Sequence, residues 1–392
     1  MGWYRHDDVH VSPQGLIDFA WSAPMRDLAA KIGISDVGLK KLLKGHGIVT
    51  PPQGHWNRVH AGRPVPSPPQ PRARRPGETG RLRVDKRFKE YLPLAPEIPV
   101  GGPFASAAVP EDLGELHARE LKAIGRVAVP KSLDRHHPGL ARLLRREDDI
   151  RAKLADKSWY WDSPAFDGPL AQRQLRLLNG LFFTLAGRDH SGDASNDNGN
   201  LVGHVRIGDM SLTLEFSVVG KHRTERVAGY QCPARDLPAS TPLQLAIRWP
   251  LGLGVPSAWQ DDARGTVEKR LAEIAADIIV AGEAAFRRSL VEAAERREIA
   301  RLEAIEARRR ELERLQAKRV EHLVKSGDML ASADRIRTLI SRVEAGVSDG
   351  RANVSRDDFA AWRDWASAYA DSLDPLLSGQ IFDHIRPPSL SD

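Results

Sequence analysis

Cysteine is almost absent from this chain: Cys232 is the only one in 392 residues. One cysteine closes no disulfide within the chain and supplies no cluster of thiolates for a structural zinc. Long apolar runs are missing as well. None approaches the roughly 18 residues that cross a bilayer, and the opening MGWYRHDDVHVS lacks the apolar core of a secretion signal. No stretch assembles a phosphate loop, a nucleophile with its base, or a metal site. The expectation is a cytoplasmic protein with no membrane segment, no cofactor and no bound metal, and not an enzyme.

What the chain has is charge, unevenly placed. Charged residues make up 28% and hydrophobic ones 41%, enough to bury a core over two or three domains. The net charge is +6. From Lys31 to Lys89 there are 14 Lys and Arg against 3 Asp and Glu, a local excess of +11, so the remainder is −5. A basic stripe of this density attracts a polyanion, with salt-sensitive affinity. It also suits a solubilising linker.

The stripe surrounds Met25 to Lys44, MRDLAAKIGISDVGLKKLLK. Leu28 and Ile32 are four apart and share a helix face. Ala29 is small where two helices cross. Gly33 stands where the first helix must end in a left-handed turn. Ile34 plugs the turn, and Ser35 or Asp36 caps a second helix. On that helix Leu39, Leu42 and Leu43 face inward. Lys40, Lys41 and Lys44 face outward, with Val37 partly exposed. The pattern is two short helices joined by a tight turn containing glycine. The alternative is an ordinary helical hairpin with a solvated lysine face.

These residues resemble the helix-turn-helix of phage repressors, resolvases and sigma-factor-like domains, over roughly Gly15 to Gly62. The resemblance implies that the second helix enters the major groove of duplex DNA. Carried over by position, Ser35, Asp36, Val37, Lys40 and Lys41 would reach base edges and Lys44 a phosphate. The helix departs from the pattern in having no Arg, Asn or Gln, the residues of bidentate base contacts. Arg58, Arg63, Arg72, Arg74 and Arg75 lie in the basic stretch that follows and are expected to add DNA contacts. Arg72 to Gly77 loosely resembles the Arg-Pro arms that enter minor grooves. A plain proline-stiffened tether is the competing reading of Arg63 to Arg87.

Around this stretch, Pro13 to Trp21 reads as the first helix of a three-helix domain, with Ser22 as cap of the next. His46, His55 and His60 read as surface or packing histidines. Downstream, helices are expected at Glu111–Ile124, around Leu140–Leu154 and at Leu170–Ala186. Trp159, Tyr160 and Trp161 form a cluster read as core in preference to a base-stacking platform. Gly187 to Asn200 reads as a polar loop, since its calcium-loop likeness fails at the glycine and closing positions. Leu201–Ile207 and Ser211–Val218 alternate about a Gly208-Asp209 turn and predict a β-hairpin, with a third strand at Leu243–Trp249. Asp209, Glu215 and Lys221 follow the acid-acid-Lys order of metal-dependent nucleases, but the last two, which lie two apart in those enzymes, are here six apart with a glycine between.

From Asp261 to about Lys325 a long helix is expected, first rich in Ala and Ile, then dense in Glu and Arg at i, i+4. Leu302, Ile305, Leu312 and Leu315 make a heptad broken by Arg309. Further helices are expected at Gly327–Glu344 and, capped by Ser355, at Arg356–Ser372, anchored by Trp362, Trp365 and Tyr369. The predicted architecture is mainly α with a small α+β middle. Residues 1–62 form the helix-turn-helix domain, 63–109 a basic Pro-rich linker, 110–260 the α+β domain with its hairpin, and 261–392 the long helix and helical hairpin. The expected function is DNA binding by a transcription regulator or an accessory factor of a mobile or defence element. The expected partners are double-stranded DNA and a second copy joined through the long helix. A structural adaptor built on that helix is the alternative, with a nuclease behind it.

Overall fold

The computed structural model describes residues 8–156, 163–227, 230–249 and 254–387; the Trp159–Trp161 cluster lies outside the described residues. The chain divides into two compact units, Met1–Ala293 and Ala294–Asp392.

The first unit begins with a small body of two strands and four helices. Strand β1 (Asp8–Val11) leads to α1 (Pro13–Ala20), α2 (Met25–Ile32), α3 (Asp36–Gly45) and the short α4 (His55–His60). Strand β2 (Leu82–Asp85) then returns to pair antiparallel with β1, with Val9 opposite Val84. A single 3-10 turn, Lys86–Phe88, follows it. The core of this body contains Leu16, Phe19, Leu28, Ile32, Leu39 and Leu43, and also Val84, Phe88 and Leu92. Phe88 meets Phe19 edge-on at 5.8 Å. The body therefore does not end near residue 62. Residues 82–92, expected within the linker, supply part of its core, because three short helices alone leave an apolar face uncovered.

Next come α5 (Leu113–Ile124), α6 (Pro138–Asp156) and α7 (Pro169–Ala186). A five-stranded antiparallel sheet follows, in the order β3 (Ser191–Asp197), β4 (Asn200–Ile207), β5 (Met210–Val218), β8 (Leu243–Ile247) and β9 (Ala258–Gln260). Strands β6 (Thr224–Val227) and β7 (Tyr230–Pro233) form a separate ribbon. The expected hairpin is β4–β5, with Val205 opposite Leu212. Leu201, Val205, Ile207, Leu212, Leu214 and Leu245 cluster in one core with Leu178, Leu181, Phe182 and Leu185 of α7. Ile274, Ala275, Ile278 and Ile279 of the long helix α8 (Leu271–Ser348) join them.

Two expectations are corrected here. The polar segment 187–200 is not a loop: seven of its residues form β3, in register with β4 from Ser191–Arg206 to Asp197–Asn200. Strand β3 lies at the edge of the sheet, and of its seven residues only Ala194 is buried, so no apolar alternation is needed. The long helix starts ten residues later than expected. Asp261 is held outside it, accepting from the N–H groups of Leu243 and Val267 and pairing with Arg173.

In the second unit α8 continues unbroken through Gly327 to Ser348, so the expected separate helix at 327–344 is its final stretch. Helix α9 (Arg356–Leu373) is capped by Ser355, whose hydroxyl accepts from the Asp358 N–H. A short α10 (Phe382–Ile385) ends the described chain. Ser326, Ala333 and Ile340 of α8 are buried at seven-residue spacing, and Ala366 and Ala370 of α9 are buried four residues apart. Arg337 joins α8 to Asp371 and Asp374 at 3.0 and 2.9 Å. Trp365 and Tyr369 do not anchor this hairpin in a core. They are 67% and 52% exposed and stack on each other, while Trp362 is only half-buried. Alanines occupy the contact because small side chains let two helices approach closely.

Candidate nucleic-acid interface

The candidate surface is the outer face of α3, and capping explains why it is presented. Helix α1 is started by Ser12, whose hydroxyl accepts from the Gly15 N–H. The expected cap at Ser22 is not made. Its hydroxyl donates to the Phe19 carbonyl, and Pro24 stands at the start of α2. Helix α2 ends at Gly33, left-handed at φ 72°, with the N–H of Ile34 on the Ala29 carbonyl and that of Gly33 on Ala30. This is the paired Schellman closure, which turns the chain sharply. Ser35 then caps α3 by accepting from the Gly38 N–H at 3.0 Å. Helix α3 ends the same way: Ile48 N–H on Leu43 and Gly47 N–H on Lys44, with Gly47 at φ 71°.

Leu39 and Leu43 are buried in the body, and Leu42 is half-buried. The opposite face carries Ser35, Asp36, Val37, Lys40, Lys41 and Lys44, all exposed. Val37 is 68% exposed, high for an aliphatic side chain on a short amphipathic helix. Residues 37, 40, 41 and 44 fall on one stripe by helical geometry. Among the described residues, no carboxylate forms an ion pair with Lys40, Lys41 or Lys44. Asp36 and the N-terminal N–H groups of α3 lie at one end of the stripe and Lys44 at the other.

The turns around α3 are held by aromatics. The Trp21 indole N–H donates to the Val49 carbonyl at 2.8 Å. His55 is buried and packs edge-on against Trp21 and Trp56 at 5.2 and 5.1 Å. His55 is thus a packing residue, as expected. Burial lowers the pKa of His46, at the end of α3. Arg58 on α4 and Arg63 after it are exposed. Arg87 was not among the expected site residues. It lies beside the α2–α3 turn, donating weakly to the Gly33 carbonyl at 3.4 Å while paired with Asp85. Nothing in the local sequence links residues 33 and 87; the β1–β2 pairing brings them together.

The arginines expected on a free arm are not free. Arg74 donates to both carboxylate oxygens of Glu283 on α8, at 2.8 and 2.9 Å, and to the Phe104 carbonyl. Its guanidinium also lies 5.0 Å from the Phe286 ring centre. Arg75 pairs with Asp189, and Arg72 with Glu78. The Gly77 N–H donates to Glu283 at 2.9 Å. The segment from Arg72 to Thr79 is therefore docked on the first unit. Thr79 closes it by donating to Asp209 from its backbone N–H and its hydroxyl. Arg74 and Arg75 are spent on internal pairs, so of the five arginines only Arg58 and Arg63 lie open, with Arg72 exposed but paired.

The acid-acid-Lys trio is not assembled either. Asp209 holds Thr79 at the β4–β5 turn, and Glu215 pairs with Arg248 farther along β5. Among the described residues no group of three or more His, Cys, Asp or Glu could hold a metal. No described helix is long and apolar enough to cross a membrane. No family model, curated protein or solved structure matches the chain.

Proposed function

We propose that this chain binds duplex DNA through the outer face of α3, in the manner of a helix-turn-helix, with Arg58 and Arg63 adding phosphate contacts. The observation that carries the proposal is the exposed, unpaired stripe of Lys40, Lys41 and Lys44 behind Val37, on a helix locked across α2 by two Schellman turns. The N-terminal end of α3, with Ser35 and Asp36, faces the bases, and the lysines bind guanine or phosphate. Lysine is a point charge without the fork of arginine, so the affinity is dominated by phosphate and the base preference is modest. A transcription regulator and an accessory factor of a mobile or defence element both use such a reader.

The test is binding of the full chain to a fluorescent duplex across a salt series. Changing Lys40, Lys41 and Lys44 together to Glu is expected to weaken binding by a factor of ten or more. Neutralising Arg58 and Arg63 to Ala is expected to lower the slope of log affinity on log salt by about 2, roughly 0.9 for each phosphate that is no longer neutralised. Unchanged affinity in the lysine variant overturns the proposal.

A second reading is favoured by the second unit. Few of its side chains are buried, and apolar ones stand exposed along α8 and α9. These suit an assembly element.

A further inference from the structure

Between Glu298 and Gln316, α8 carries side chains that fit a second copy of itself. Ile299, Leu302 and Ile305 are 56%, 53% and 55% exposed. Every residue from 301 to 310 is exposed, so this part of the helix has no apolar partner among the described residues. Leu302 and Ile305 stand three apart, and Leu312 repeats Ile305 after seven. Assigned to a heptad, Leu302, Arg309 and Gln316 occupy a, and Ile305 and Leu312 occupy d. Ile299 flanks the seam at e and Leu315 at g.

The charges decide the orientation. Arg301 and Arg308 fall at g, and Glu306 and Glu313 at e. In a parallel, in-register pair, each g residue faces the e residue of the following heptad on the other helix. Arg301 then meets Glu306 of the second copy, and Arg308 meets Glu313 of the second copy. Two-fold symmetry doubles both pairings to four. In an antiparallel pair centred on this segment, g faces g and e faces e, which sets Arg against Arg and Glu against Glu. Within one chain Arg310 pairs with Glu306 at 3.0 Å and Arg309 with Glu313 at 3.5 Å. These are exposed i,i+4 pairs, which hold their partners loosely and yield them readily.

We infer that residues 298–316 of α8 pair with the same residues of a second copy as a parallel, in-register two-stranded coiled coil. Arg309 at a fixes the register and keeps the pairing weak, as a polar a residue does. The seam stops above Leu302, where Glu298 and Glu295 take the next d and a positions. Assembly is a property of this segment and does not depend on DNA.

The experiment is sedimentation velocity of the full chain over a concentration series without DNA, with circular dichroism to check that each variant keeps its helix. The wild-type chain is expected to dimerise. Arg301→Glu with Arg308→Glu makes all four flanking positions acidic, and Glu306→Arg with Glu313→Arg makes them all basic. Each double variant alone is expected to dimerise at least roughly tenfold more weakly, and an equimolar mixture is expected to recover a heterodimer. Orientation is read from Leu302→Cys in a Cys232→Ser background, which is expected to cross-link to its own copy under mild oxidation. A wild-type chain that stays monomeric, double variants that dimerise like wild type, a mixture that fails to pair, or a dimer that does not cross-link at residue 302 each overturns the inference.

Discussion

The guanidinium of Arg74 grips the carboxylate of Glu283 through two hydrogen bonds of 2.8 and 2.9 Å, across 209 residues of sequence. Glu283 is fully buried and also accepts from the Gly77 N–H and Arg287. Its charge is balanced by two arginines, and both oxygens are occupied. Removing Arg74 strips one oxygen of its cation in a buried site, so Arg74→Ala is expected to cost about 3 kcal/mol in unfolding free energy. Arg72→Ala, whose pair with Glu78 is exposed on the arginine side, is expected to cost less than about 1 kcal/mol. Urea unfolding monitored by tryptophan fluorescence separates the two. Arg74→Ala is also expected to leave the salt slope of DNA binding unchanged. A variant of normal stability with a lowered slope would return Arg74 to the DNA surface.

Two glycines with the same φ make a controlled comparison. Gly33 and Gly77 both sit at φ 72°. A Cβ on Gly33 would meet nothing within 4 Å, whereas one on Gly77 would lie 2.2 Å from the Ile207 carbonyl oxygen. Gly33→Ala therefore carries only the backbone cost of the left-handed region, about 1–2 kcal/mol. Gly77→Ala adds a clash with main chain that cannot move without displacing β4, and its destabilisation is expected to exceed that of Gly33→Ala by about 2 kcal/mol or more. Equal midpoints in thermal unfolding would show that the segment at Gly77 is not docked as described.

These two glycines also mark how much was legible in advance. Gly33 was readable because its neighbours carry the helical spacing and caps on both sides, all within twenty residues. Gly77 was not, because what demands it is a strand 130 residues away. The same division separates Lys40 from Arg74. The lysine's exposure follows from the period of its own helix, while the arginine's partner is set by long-range packing that composition does not encode. A run of arginines and prolines reads as a tether whenever the carboxylates that bind it are remote. Likewise β3 leaves no apolar signature in the sequence, because an edge strand paired on one side tolerates Ser, Asp and Asn. The alternation in Leu201–Val218 is legible because the two faces of that hairpin differ in burial. The tryptophans of α9 misled for a complementary reason. Aromatic spacing on a helix reports a face, but not whether anything covers it.

His190 gives the stability of the first unit a pH dependence whose sign follows from its burial. The ring is buried at the start of the sheet, and its Nδ1 has no partner. Desolvation, with Arg188 and Arg75 nearby, lowers its pKa to about 4 against the pull of Glu120 and Asp189. In the unfolded chain the ring titrates near its ordinary value of about 6.5. Between these values the unfolded state takes up a proton that the native state refuses. The contribution is fully present above about pH 6.5 and is lost progressively as the pH falls towards 4, by up to about 3 kcal/mol. His46 and His137, also lowered by burial, act in the same direction. His190→Gln is expected to flatten the fall in unfolding free energy between pH 7 and pH 4.5. An unaltered pH profile in this variant would place the titrating group elsewhere.

In the second unit the burden of packing falls on alanine. Ala370 is fully buried on α9, whereas Trp365, five residues earlier, is 67% exposed and stacked 6.4 Å from Tyr369. An exposed aromatic pair adds little to stability, so Trp365→Ala is expected to cost less than about 1 kcal/mol. Ala370→Leu forces three extra carbons into the close contact of α9, at an expected cost of about 1–3 kcal/mol. Amide hydrogen exchange along α9 reads both on one scale, free of the first unit's own unfolding. Exchange should quicken markedly in the alanine variant and little in the tryptophan variant. The reverse order would mean that Trp365 is covered, and that α9 packs through its aromatic face instead of its alanines.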